Sequence, residues 1–168
     1  MSSKLGAIQM ARGKKDYSIL VIKHGFAAML FSLISGFVMI FSMLGGISLS
    51  PIPVLIDVTI PGTPDGWRVV HVGMMLNGVM AVAIGCASSV LGVPEVRLKK
   101  VVWGTVIAVW GNCMFYLFGM FAPNRGVTLE GNSLGEFSVF GVLAFIPAFI
   151  GALTLIYAVY SLLTTQKD

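Results

Sequence analysis

Four stretches of this chain, residues 25–44, 69–91, 101–121 and 137–163, contain no Asp, Glu, Lys or Arg. Each is long enough to cross a hydrocarbon core, which takes about 20 predominantly apolar residues. In lipid a segment must satisfy its own backbone polar groups, and a helix does so within one segment. The composition agrees: 57% of the 168 residues are hydrophobic and 11% charged, a balance foreign to soluble domains of this size. The expected fold is therefore all-α, an integral membrane bundle of four transmembrane helices covering residues 24–165. A polar tail, residues 1–23, precedes it, with a short amphipathic interfacial stretch expected near Tyr17–Ile22. More than 20 residues of basic tail stand before the first run and no small-residue cleavage site follows it, so it is expected to be a retained helix and not a signal peptide.

Charge placement gives an orientation. Lys4, Arg12, Lys14, Lys15 and Lys23 precede the first run, Arg97, Lys99 and Lys100 lie between the second and third, and Lys167 follows the fourth. Only Arg68 and Arg125 fall on the opposite side. Both termini are then expected in the cytoplasm, with the protein multi-pass in the cell's inner membrane. The net charge of +4 reads as attraction to anionic lipid, and no basic patch with interleaved aromatics points to nucleic acid. Cys86 and Cys113 lie inside the second and third runs without CxxC or CxxCH spacing, which favours packing over redox chemistry or covalent haem attachment.

The first outer loop carries Pro51, Pro53, Pro61 and Pro64, and residues 60–67 read as rigid turns. The link 92–100 is short, making the second and third helices antiparallel neighbours. Pro147 is expected to kink the fourth helix, which packing in a bundle tolerates.

His71 is the lone imidazole of an uncharged run. An ionisable group at membrane depth is a functional-site hypothesis by default, and imidazole is the commonest metal ligand. The plain alternative is an interfacial histidine bonded to a neighbouring carbonyl. On a helix Asn77 lies about 120° from His71, close enough to border one site without sharing a stripe. Gly78 falls almost beneath His71 and leaves room for a flat ligand; alternatively Gly73, Gly78 and Gly85 permit close helix contact. Asn112 and Tyr116, four residues apart, share a face with Ala108 one turn below. An amide and a phenol so placed hold a polar ligand oxygen or bond neighbouring helices. His24, expected at the headgroup interface, stands about 30 Å from His71 if the two occupy opposite ends of the bilayer. That separation excludes an intrachain bis-histidine iron site and leaves one coordination face open on any iron held by His71, with Met74 or Met75 able to close it only from another subunit or after unwinding of the helix. Zinc lacks the required set of nearby ligands.

Residues 61–67 (PGTPDGW), His71-Val72-Gly73 followed by Leu76-Asn77-Gly78, Trp110-Gly111-Asn112 through Phe115-Tyr116, and Phe121-Ala122-Pro123-Asn124-Arg125-Gly126 resemble the styrene oxide isomerase family in order and spacing over about residues 25–165. The resemblance implies a homotrimer with haem b at subunit interfaces and His71 as axial iron ligand. It also implies Asn77, Tyr116 and Asn112 as active-site residues, and isomerisation of a small hydrophobic aryl epoxide to an aldehyde. An upstream epoxidase on the cytoplasmic face is a possible partner. One departure stands out: Ala108 occupies the place of a family aspartate. The competing expectations are a non-catalytic haem protein, either a sensor or an electron-transfer subunit, and a cofactor-free transporter or structural bundle.

Overall fold

The computed structural model describes residues 2–165. Its elements in chain order are α1 (Ser2–Leu44), β1 (Gly46–Ser48), β2 (Leu55–Asp57), α2 (Pro64–Val90), α3 (Glu95–Gly119) and α4 (Val139–Leu163). Four helices are long and apolar enough to cross a membrane, with α1 contributing Asp16–Leu44. In the most apolar window of α4 only 17% of residues are buried, so its large apolar side chains face outward, as expected of a multi-pass membrane protein.

α2 and α4 begin where a side chain supplies a cap, which hydropathy alone does not register. α2 starts five residues before the second uncharged run: Thr63 accepts a hydrogen bond from Gly66 N at 3.0 Å, Pro64 occupies the first turn, and Asp65 lies beside the positive end of the helix dipole. Ser138 caps α4 in the same way through Gly141 N. α3 begins directly after Pro94. Between α1 and α2 the chain forms a small antiparallel ribbon, with Ile47 opposite Ile56. The sequence expectation was a loop here with rigid turns at residues 60–67; the loop contains this ribbon, and residues 64–67 form the first turn of α2.

The bundle is built from two close pairs, α1 with α2 and α3 with α4. Glycine makes each pair possible. A Cβ at Gly25 would fall 2.8 Å from the Gly78 carbonyl oxygen, and a Cβ at Gly78 would fall 2.7 Å from that of Gly25. The two backbones therefore cross in direct contact. This corrects one expectation: the space at Gly78 belongs to Gly25 and Met29 of α1, and no ligand can approach there. Tyr17–Ile22 likewise belongs to the continuous α1 helix. Its Ser18 and Val21 are buried, and Gly85 of α2 packs against Ser18, Val21 and Ile22. The stretch serves helix pairing and does not lie along a membrane surface.

On the other pair, Gly104 meets the Thr154 backbone, Gly111 meets the Pro147 carbonyl, and Gly151 meets Ala108, whose Cα lies 2.9 Å from a Cβ built there. Pro147 lies within the continuous α4 helix. Ala108, fully buried, belongs to this α3–α4 contact. Residues four apart on a helix drift about 40° around its axis, so Ala108 turns toward α4 while Asn112 and Tyr116 turn toward α2.

Candidate active site

The two middle helices bring three of the sequence-selected residues together. Asn77 donates through Nδ2 to the Gly73 carbonyl at 2.8 Å and to Tyr116 Oη at 3.1 Å. Asn112 Nδ2 donates to Asn77 Oδ1 at 2.8 Å. The Gly73 carbonyl fixes the directions of the whole chain of bonds, because only an N–H can face it and so the Asn77 oxygen must face Asn112. Both Asn77 amide hydrogens and its oxygen are thereby engaged. The Tyr116 hydroxyl accepts from Asn77 and retains its own proton for another acceptor.

Gly73 also seats the phenol. A Cβ there would overlap Cζ of Tyr116 and meet Cδ2 at 3.0 Å, so the ring lies on the bare backbone of α2. Tyr116 lines two adjoining spaces. One is a cavity of about 180 Å³ walled by Gly66, Val69, Phe115, Gly119 and Met120, with Asp65 and Arg125 also in its lining. The other is a groove of about 410 Å³ lined with Arg68, Val69, Val72 and Gly73. Val69 and Val72 are 52% and 49% exposed, so the groove opens on an outward, apolar flank of the bundle.

Arg125 reaches this site through a specific loop. It takes a left-handed backbone conformation, φ 57°, beside the buried Asn124, whose amide donates to the carbonyls of Thr128 and Glu130 and accepts from Gly126 N. Asn124 thus organises the α3–α4 connection. Sequence reading found the motif and not this role.

His71 lies elsewhere. Its Nδ1 is 2.8 Å from the Ser32 carbonyl oxygen, and Ser32 Oγ donates to the His71 carbonyl. Gly73, which carries Tyr116, lies about 160° around α2 from His71. The imidazole therefore faces α1 while the Asn77–Tyr116 pair faces α3, and the expectation that His71 and Asn77 border one site does not hold within a single chain. Ser32 and Gly36 were missed in the sequence, where small residues on an apolar helix are indistinguishable from packing.

His24 is also displaced from its expected place. Trp110 Nε1 donates to His24 Nδ1 at 3.0 Å, and the neighbouring Gly25 crosses Gly78, so His24 stands inside the bundle and not at its edge. Gly78 is seven residues from His71, which puts the histidines about 10 Å apart along the helix axes, not 30 Å. They still face different helices. Among the described residues no group of three or more His, Cys, Asp or Glu side chains is placed to hold a metal ion.

The family model described as styrene oxide isomerase matches residues 17–166, all four spans together. The chain belongs to the styrene oxide isomerase family. It is an isomerase. A styrene-oxide isomerase from Pseudomonas fluorescens is 33% identical over 129 residues, covering 76% of this chain and 75% of that protein. The matched region of the styrene oxide isomerase family takes in the Asn77–Tyr116–Asn112 bonds, the Ser32–His71 pair and the Asn124 loop.

Proposed function

We propose that the protein isomerises an aryl epoxide such as styrene oxide to the corresponding aldehyde, using haem b held by His71 in a homotrimer. The observation that carries this reading is the Tyr116 hydroxyl, whose oxygen is occupied by Asn77 and whose proton is left to donate beside a cavity lined by Val69, Phe115 and Met120 together with Asp65 and Arg125.

The donor set fits haem. Nδ1 of His71 faces a carbonyl, which can only accept, so Nδ1 carries the proton and Nε2 keeps its lone pair. His71 Nε2 would be the nitrogen that holds the haem iron. When bound, haem would supply a Lewis-acidic iron toward an epoxide oxygen. The rest falls to the chain. Tyr116 donates a hydrogen bond to the oxygen as negative charge grows there, while Asn77 and Asn112 hold the phenol in place. The carbon–oxygen bond opens at the aryl-bearing carbon, hydride shifts to that carbon, and the oxygen becomes the aldehyde carbonyl. Every atom of the substrate is kept, and no net proton transfer is needed. Val69, Phe115 and Met120 would present apolar surface to the cation, where water would trap it as a diol.

The placement of His71 and Tyr116 on opposite sides of α2 supports an oligomeric site, in which the imidazole of one copy serves the phenol of a neighbour. Eight of the eleven basic residues precede Asp16, lie between Glu95 and Lys100, or follow the fourth span, which supports a cytoplasmic location for the end carrying both termini in an inner membrane. An epoxidase acting on an aromatic precursor there would supply the substrate, placing the enzyme in aromatic catabolism.

Purified protein in detergent should show a haem Soret band and convert styrene oxide to phenylacetaldehyde. Colourless protein, or haem with both axial positions filled by protein side chains and no turnover, would refute the proposal.

A further inference from the structure

The His71 ring rests against α1, and two residues of that helix determine how it sits. The Ser32 carbonyl receives the helical N–H of Gly36, four residues on, and its second lone pair is free for His71 Nδ1. A side chain at position 36 would take the imidazole's place: a Cβ there would stand 3.0 Å from both Nδ1 and Cε1 of His71. Ser32, itself 0% exposed, ties back by donating from Oγ to the His71 carbonyl. Ring and backbone of one residue are thus held by a single turn of the opposite helix. Gly25 and Gly78 differ in kind, since there backbone meets backbone. At Gly36 the three nearest atoms all belong to the imidazole.

We propose that Ser32 and Gly36 are positioning residues for His71, setting its tautomer and ring plane so that Nε2 is presented to iron. This rests on the reading of His71 as the haem ligand. A carbonyl accepting from the far nitrogen of a ligating imidazole fixes the ring and raises its basicity, and loss of such a partner typically weakens metal binding about 10–100-fold.

The test uses the full-length haem protein. Gly36→Ala should release haem to apomyoglobin with about 10–100-fold weaker retention and shift the iron–imidazole stretching frequency in resonance Raman spectra. Helical circular dichroism should stay at the wild-type level. Ser32→Ala removes the Oγ tie to the His71 carbonyl and the 3.3 Å contact of Oγ with Nδ1, keeps the Ser32 carbonyl, and should shift the same frequency with a smaller loss of haem. Ser35→Ala is the control, because that hydroxyl bonds the Phe31 carbonyl of its own helix; it should behave as wild type. If Gly36→Ala does not fold, the frequency in Ser32→Ala decides. Wild-type frequency and haem retention in the folded variants overturn the proposal. Full haem occupancy in His71→Ala would instead remove the cofactor reading beneath it.

Discussion

Asn77 Nδ2 lies 3.1 Å from Tyr116 Oη, and because an amide nitrogen accepts nothing, the phenol keeps its proton for a ligand. Tyr116→Phe removes that donor and little else. Haem content should be unchanged and turnover of styrene oxide should fall by about 10² to 10³, the scale of one donor aimed at a developing oxyanion. A wild-type rate would take Tyr116 out of the chemistry.

Asn77 makes all its bonds within the chain, so its contribution should pass through Tyr116. Asn77→Ala alone should slow the reaction by at least tenfold, about 1.4 kcal/mol. In the Tyr116→Phe background the same change should cost much less, because coupled residues are not additive. Fully additive losses in the double-mutant cycle would show that Asn77 touches the substrate independently.

Gly73→Ala places a methyl group against the Tyr116 ring. The phenol must move while His71, on the far side of α2, stays. Expected is a loss of activity comparable to Tyr116→Phe with an unshifted Soret band. Loss of haem together with activity would mean that the two sides of α2 are not separable.

The Gly25–Gly78 crossing has backbone on both sides and cannot give way as a flexible side chain would. Gly78→Ala should destabilise the bundle by about 1–3 kcal/mol, the usual penalty for overpacking. Thermal denaturation in detergent would register it, with Gly92→Ala avoided as a comparison because that glycine has a positive φ of 67°. Gly13→Ala, with nothing within 4 Å of the added Cβ, is the reference for the helix-propensity gain alone, about 1 kcal/mol of stabilisation.

The four spans were legible because uncharged length is a property of the sequence itself. So was the Asn112–Tyr116 face, since a spacing of four holds on any helix. Their union with Asn77 depends on how far α2 and α3 slide past each other, which no single helix encodes. The same limitation explains His24: counting depth from the edge of the uncharged run put it at a membrane surface, whereas α1 continues as an apolar span from Asp16. Ala108 illustrates the limit of the stripe, because a drift of about 40° per four residues carries it into the α4 contact. Ser32 and Gly36 acquire meaning only once α1 and α2 are paired.

The groove beside Tyr116 opens through Val69 and Val72 onto the apolar flank. A reactant that dissolves in hydrocarbon would be delivered by lateral diffusion, at the concentration set by its partition coefficient and not by its dose in the buffer. Apparent KM, expressed as total substrate concentration, should therefore rise with detergent or lipid volume, while kcat stays constant.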